Sequence, residues 1–353
     1  MIDPQRIRDA QSLLARHFGP TRIARAASLS SPRHDVFLKL ETDLPTGSFK
    51  VRGAIYALSM KLERDGARTT PGSLEVVCAS TGNHGAAVAY AAQQLGIRAT
   101  IFLPARPNLV KAARILELGA RLVEAGADLS DAIDAAEAYA AREAAFFLHD
   151  ARDPDVPAGA GTIGLEIVDQ LPAVDVIYVP MGDTALIRGV ASAVKQRRSS
   201  IRIVGVVAER APAYLLSWQK VVQAFRPADG ADLKVRTTSA ADVVETATCD
   251  TIADGLAIRR PLAANVRQIR ELVDDVIAVS EQEMMGAIER LHTQEQVIAE
   301  PAGAAAVAAL LKESTAAGTI VALVTGGNLS PDLRLKLIGG NDSGASPAPA
   351  DVA

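Results

Sequence analysis

Thr46-Gly47-Ser48-Phe49-Lys50-Val51-Arg52-Gly53-Ala54 lies between the apolar run Val36–Leu40 and a stretch of helical character. The order is strand, turn of small residues, then a lysine where a helix begins. Small residues let a cofactor approach the backbone. A lysine at a helix start feels the positive end of the dipole, and partial desolvation adds to that; both lower its pKa. A lysine able to lose its proton can form an imine with an aldehyde. A solvent-facing lysine after an ordinary turn has the same local pattern.

Outward from this segment, Glu75–Ala79, Ala99–Leu103, Arg121–Glu124, Asp175–Val179, Ile201–Val207, Val276–Val279 and Ile320–Val324 read as further strands. Several are nearly continuous apolar runs, as strands covered on both faces require. His84–Leu95 and Leu109–Leu118 read as helices stopped by Gly96 and Gly119, the expected left-handed caps. Ser280-Glu281-Gln282-Glu283 reads as a capping box opening a helix to about Thr293. Strands alternating with helices predict an α/β fold with mainly parallel sheets. The 353 residues exceed what one core usually serves, so two lobes are expected.

Apolar residues make up 49% and charged residues 22%, the balance of a soluble globular protein with a large core. Net charge is −4 and the basic pairs Arg197-Arg198 and Arg259-Arg260 are short, which argues against a nucleic-acid surface. The start, Met-Ile-Asp-Pro-Gln-Arg, has no apolar signal core. No stretch approaches the roughly 20 apolar residues of a membrane span. Cys78 and Cys249 are too few for a disulfide framework and read as reduced thiols in a cytoplasm. Residues 227–242 read as a polar surface excursion. Gly339–Ala353, rich in Gly, Ser, Ala, Pro and Asp, is expected to be disordered, and no separate regulatory domain fits after Asn328.

Three more junctions carry polar groups at strand ends. Ser80-Thr81-Gly82-Asn83-His84-Gly85 places polar side chains and bare amides at a helix N-terminus, an anion site or an ordinary capped turn. Val179-Pro180-Met181-Gly182-Asp183-Thr184-Ala185-Leu186-Ile187-Arg188-Gly189 repeats that pattern, with Thr184 and amides able to cradle a phosphate, or Asp183 serving as a cap. Val324-Thr325-Gly326-Gly327-Asn328 offers a hydroxyl and two glycines to a heteroaromatic ring, or is only a turn.

Together and in this order these segments resemble the fold-type II enzymes that depend on pyridoxal 5′-phosphate (PLP), specifically the serine/threonine dehydratase and serine racemase group. Gly159–Ile167, Thr251–Ala257 and Glu300–Ala304 are also similar to that family's patterns, and the likeness runs from about Leu38 to Asn328. The resemblance implies two open, twisted, mainly parallel sheets covered by helices, with PLP in the cleft between two domains. The large domain would be residues 1–50 and 148–340, the small inserted one 51–147, and 341–353 a tail. Lys50 would carry PLP, with Phe49 against the ring, Asn83 on its phenolic oxygen, Thr325 at the pyridine nitrogen and Gly255 near the reacting face. Gly182, Asp183, Thr184, Ala185 and Leu186 would cup the phosphate. Ser80, Thr81, Asn83 and His84 would hold the substrate carboxylate. The implied reaction is β-elimination from a hydroxy-amino acid such as L-threonine or L-serine, releasing ammonia and a 2-keto acid. Lys50 would remove the Cα proton and the cofactor phosphate would protonate the leaving hydroxyl. A homodimer and a small-molecule amino-acid substrate are the implied partners.

Two positions depart from the family. Its dehydratases usually carry four glycines where this chain has Gly182-Asp183-Thr184-Ala185. Asp183 is expected to turn away and cap the following helix, to bond a neighbouring amide, or to alter how the phosphate is protonated. Thr81 stands where threonine dehydratases tend to have Ala and serine racemase a serine that acts as the opposite-face acid/base. Its hydroxyl keeps Thr81 as a second catalytic candidate and amino-acid racemisation as the alternative activity, though its restricted rotamer argues against that. A β-replacement synthase and a PLP-binding protein without turnover are further alternatives. Phenylserine, hydroxyaspartate and a hydroxyectoine-derived amino acid stay open as specialised substrates. Glu209 is a lone carboxylate in the region of the family's divalent-cation site, without a second at convincing spacing, so no metal is assigned. His149 and Arg152 read as structural.

Overall fold

The computed structural model describes residues 1–66, 74–80, 82–105, 109–127, 129–219, 236–237, 243–313 and 317–339. Twelve strands form among these residues: β1 (Ile23–Arg25), β2 (His34–Leu40), β3 (Glu75–Ala79), β4 (Arg98–Leu103), β5 (Arg121–Glu124), β6 (Phe146–Phe147), β7 (Val176–Pro180), β8 (Arg202–Ala208), β9 (Arg236–Thr237), β10 (Val244–Glu245), β11 (Asp275–Val279) and β12 (Gly318–Val324). One sheet has the order β1-β2-β12-β7-β8-β11, parallel throughout except for β1 at its edge. The other, β5-β4-β3-β6, is wholly parallel. Strands β9 and β10 make a small antiparallel pair.

All eight expected strands form. β1, β6, β9 and β10 were not anticipated; at two or three residues each, they are too short to leave an alternating signal. Most of the 227–242 region and all of 340–353 lie outside the described residues.

The apolar runs follow from how the sheets are covered. In β7, Val176 and Tyr178 pack toward the helices Glu281–Glu295 and Pro301–Lys312. Ile177 and Val179 pack toward Val156–Gln170, Ala185–Arg197 and Ala263–Leu272. Alternate side chains thus enter opposite cores, and both must be apolar. In β3, Val76 and Cys78 meet the helices Lys50–Asp65 and Asn83–Leu95, while Val77 faces Leu129–Glu143. Local stops formed as expected. Gly96 and Gly119 take φ of +67° and +80°. The Ser280 hydroxyl accepts from Glu283 N–H at 3.2 Å while the Glu283 carboxylate accepts from Ser280 N–H at 2.7 Å.

A buried ionic network ties the lysine helix to its base. Arg52, 1% exposed, donates to Glu41 at 2.7 Å and to Glu166 at 2.5 Å. Lys39 donates to Glu166 at 2.5 Å and to Gln170 at 2.9 Å. Burial would raise the Glu166 carboxyl, but Arg52 and Lys39 outweigh it and hold it below its ordinary value of 4.5. A depressed carboxyl stabilises the fold above its unfolded pKa, and that contribution is lost as pH falls through the folded one. Acidifying below about pH 4.5 is therefore expected to lower the urea midpoint of the wild type, and less steeply that of Glu166→Gln. Identical slopes would remove the network as the source.

Candidate active site

The lysine loop is docked on the end of β12. Phe49 N–H donates to Thr325 O at 3.0 Å, Gly327 N–H to Gly47 O at 3.0 Å, and Asn328 Nδ2 to Thr46 O at 2.9 Å. Gly47 has φ +67°, and a Cβ there would lie 2.7 Å from Asn328 Oδ1, so the turn needs glycine. Lys50 is the first residue of the helix Lys50–Asp65.

A second wall comes from the turn after β7. Thr184 takes φ +75°, a strained conformation for a β-branched residue. A Cβ on Gly182 would meet the Gly255 carbonyl at 2.0 Å, so this turn and the 254–256 turn are in close backbone contact. The third wall is Asn83, which opens the helix after β3. It donates to Glu300 Oε1 at 2.5 Å and accepts from Asn328 Nδ2 at 2.8 Å. Asn83, Asp183 and Thr325 thus follow the carboxyl ends of parallel strands in both sheets, where open α/β folds place their ligands. With Phe49, Lys50, Gly182, Thr184, Leu186, Gly255, Glu300 and Ala302 they line one cleft.

The electrostatics overturn one expectation. Lys50 Nζ lies 2.5 Å from Asp150 Oδ2 and 2.9 Å from Asp183 Oδ2. Burial would lower its pKa, but the two carboxylates outweigh burial and raise it above the ordinary lysine value. The lowered pKa expected from the helix start and desolvation is not found, because that reasoning lacked the two counter-charges. Asp183 bonds a neighbouring amide, one of its expected roles, but does not turn away. Its Oδ1 accepts from Ala185 N–H at 3.0 Å, but the carboxylate faces the cleft and pairs with Lys50 instead of turning away.

Other sequence candidates fall around this centre. The Ser80 hydroxyl accepts from Gly82 N–H at 3.1 Å, and His84 Nε2 is 3.2 Å from Leu148 O; both are buried beside the cleft without lining it. Ala185 contributes its N–H to Asp183, while its side chain packs into the core around β3. Thr81 lies outside the described residues. Glu209 accepts from Lys312 Nζ at 3.1 Å, and that ammonium also meets Glu283 at 3.2 Å and Ala278 O at 3.0 Å. No cluster suited to a metal ion occurs among the described residues. His149 accepts from Ala151 N–H at 3.1 Å, and Arg152 pairs with Glu137 at 2.5 Å. Sequence reasoning missed Asp150 as a site residue, and it read Glu300 only as part of a motif. Asp150 follows β6 in a stretch with no motif of its own, and folding alone carries it to Lys50.

A pyridoxal-phosphate dependent enzyme family model matches residues 14–326. The chain belongs to this family. This PLP enzyme is 35% identical to the L-threonine ammonia-lyase of Thermotoga maritima, over 96% of this chain and 78% of that one. It is 31% identical to the catabolic L-threonine dehydratase of Escherichia coli K12, over 91% of each. Its fold matches maize serine racemase with a TM-score of 0.80 at 27% identity, covering 96% of this chain and 97% of that one. It is a fold-type II enzyme of the serine/threonine dehydratase-like group, and PLP is its cofactor.

The cleft suits that cofactor. It offers a lysine amine for the aldehyde, the amides opening the helix Ala185–Arg197 for an anion, and a Thr325 hydroxyl that makes a long, 3.5 Å contact to Ala302 O. The close Gly182–Gly255 approach keeps the wall free of side chains on that side. Asp183, in the turn that opens the helix Ala185–Arg197, brings a charge of the wrong sign toward a phosphate. No helix among the described residues is long and apolar enough to cross a membrane.

Proposed function

We propose that this enzyme is an ammonia-lyase that removes the β-hydroxyl of a small β-hydroxy-α-amino acid, with L-threonine or L-serine as reference substrate, and releases a 2-keto acid and ammonia. The observation that carries the reading is the docking of the Lys50 loop onto Thr325 by the 3.0 Å Phe49–Thr325 bond. It brings the reactive amine and a neutral hydroxyl to one cleft. A hydroxyl does not force a ring nitrogen to stay protonated as a carboxylate would, and so favours expulsion of a β-leaving group over long-lived carbanion chemistry.

In this reading Lys50 would hold PLP, Phe49, Asn83, Gly255 and Thr325 would surround its ring, and Gly182, Thr184, Leu186 and the Ala185 amide would hold its phosphate. Ser80, Thr81, Asn83 and His84 orient the substrate carboxylate. Bound PLP supplies the electron sink for the pair left at Cα. Lys50, once released, takes the Cα proton, and the cleft fixes substrate against it. Residues 1–50 and 148–340 form the large domain and 51–147 the small one. The enzyme works in the cytoplasm as a homodimer, a state that sedimentation would check.

The test is keto-acid and ammonia release by PLP-loaded protein with L-threonine, L-serine, threo-phenylserine and threo-hydroxyaspartate, plus chiral analysis of the remaining amino acid. Keto acid from at least one of them with no racemised residue is expected. Racemised amino acid with little keto acid would overturn the reading in favour of a racemase.

A further inference from the structure

Hydroxide is a poor leaving group, so the bond between Cβ and oxygen breaks only if a proton reaches that oxygen. Resting on the lyase reading above, we infer that Asp183, in place of the cofactor phosphate that the family resemblance implies, is the acid that protonates the departing β-hydroxyl, with Asp150 as its ionised partner. Both carboxylates meet Lys50 Nζ, at 2.5 Å for Asp150 and 2.9 Å for Asp183, and their side chains are only 18% and 14% exposed. Sharing one ammonium sets the two carboxylates beside each other. Asp183 is anchored by Ala185 N–H on Oδ1 and by Asn265 Nδ2 on its carbonyl at 3.4 Å, which leaves Oδ2 for the cleft.

Charge balance then sets the proton. One ammonium faces two carboxylates. With the Lys50 nitrogen uncharged, as an acceptor of the Cα proton must be, two adjacent buried carboxyls cannot both stay ionised, and one keeps a proton. The surroundings choose which. Burial and the neighbouring Asp150 charge raise Asp183 against the pull of Lys50. Burial opposes ionisation of Asp150 too, but Lys50 and His84, 3.9 Å away, hold it well below the carboxylate range. His149, 3.6 Å from Asp150, and Arg188 and Tyr214, from the elements behind Asp183, complete the charged and titratable surroundings.

The step balances. Lys50 takes the Cα proton, and the electron pair left behind forms the Cα–Cβ double bond. The Cβ–O pair leaves with oxygen, which takes the Asp183 proton and departs as water. The proton on Lys50 returns to Asp183 across their contact.

β-Chloro-L-alanine has the carbon skeleton of L-serine and yields the same keto acid, but chloride needs no proton. Holoenzyme and Asp183→Asn are compared on both substrates. The amide keeps an oxygen for Ala185 N–H but gives up the acid. The kcat/KM ratio of serine to β-chloroalanine is expected to fall about 100-fold or more, the scale of a lost general acid. In deuterium oxide the variant is expected still to exchange the Cα proton of unreacted serine, seen by NMR, because Lys50 keeps its amine and its contact with Asp150. An unchanged ratio would overturn the inference. If the variant loses the visible PLP band, the wild-type pH profiles decide. Serine turnover is expected to fall as pH rises through the Asp183 pKa while β-chloroalanine turnover does not; coincident limbs overturn the inference. Wild-type activity on β-chloroalanine but on no hydroxy-amino acid would instead sink the lyase reading.

Discussion

Lys50→Ala is expected to lower keto-acid release by ~10⁴-fold or more and to remove the visible imine band of the bound cofactor, because one amine serves as both covalent anchor and base. The structure places that amine in the cleft beside Asn83, Gly255 and Thr325. The same substitution leaves Asp150 and Asp183 facing each other without their shared cation. Both carboxyls then hold protons more tightly, and the variant loses electrostatic stability as well as chemistry. Lys50→Arg separates the effects. It keeps a cation between the carboxylates but cannot make the imine, so it should unfold near the wild-type urea midpoint and remain inactive. Persistence of the imine band in Lys50→Ala would take the covalent role from Lys50.

Arg52→Ala is expected to destabilise the fold by about 3–5 kcal/mol, the cost of removing one partner from a buried ion pair. Arg52 is 1% exposed and bonded to both Glu41 and Glu166, which are buried with it. Without it Lys39 alone faces the two glutamates, and its own amine is already pulled down by burial. The helix that begins at Lys50 loses its anchor two residues from the reactive amine, so KM and kcat should both worsen. Urea unfolding measures the loss; a change under about 1 kcal/mol would show that the network relaxes around the gap.

Long strands were legible because a sheet covered on both faces demands unbroken apolar runs, as in β7 and β12. β1 and β6 were not, since pairing along two or three residues is decided by the neighbouring strand. Gly96, Gly119 and the Ser280–Glu283 box were legible because caps act within one turn. At the site, Lys50, Asn83, Gly182, Thr184, Gly255 and Thr325 were read from motif order and do share one cleft. Asp150 was invisible, because its distance to Lys50 depends on how the chain returns after β6. Glu300 lay in a recognised motif, yet only its 2.5 Å bond to Asn83 places it in the wall.

The sequence by itself determined the α/β class and the strand–turn–helix junctions, because periodicity, caps and turn chemistry are local. Only the tertiary structure decided the charge state around the reactive amine. Coulombic coupling depends on distance in space, and the fold brings Asp150 and Asp183 to Lys50 from distant parts of the chain. Local reasoning predicted a lysine of lowered pKa; the assembled cleft holds one stabilised by two carboxylates.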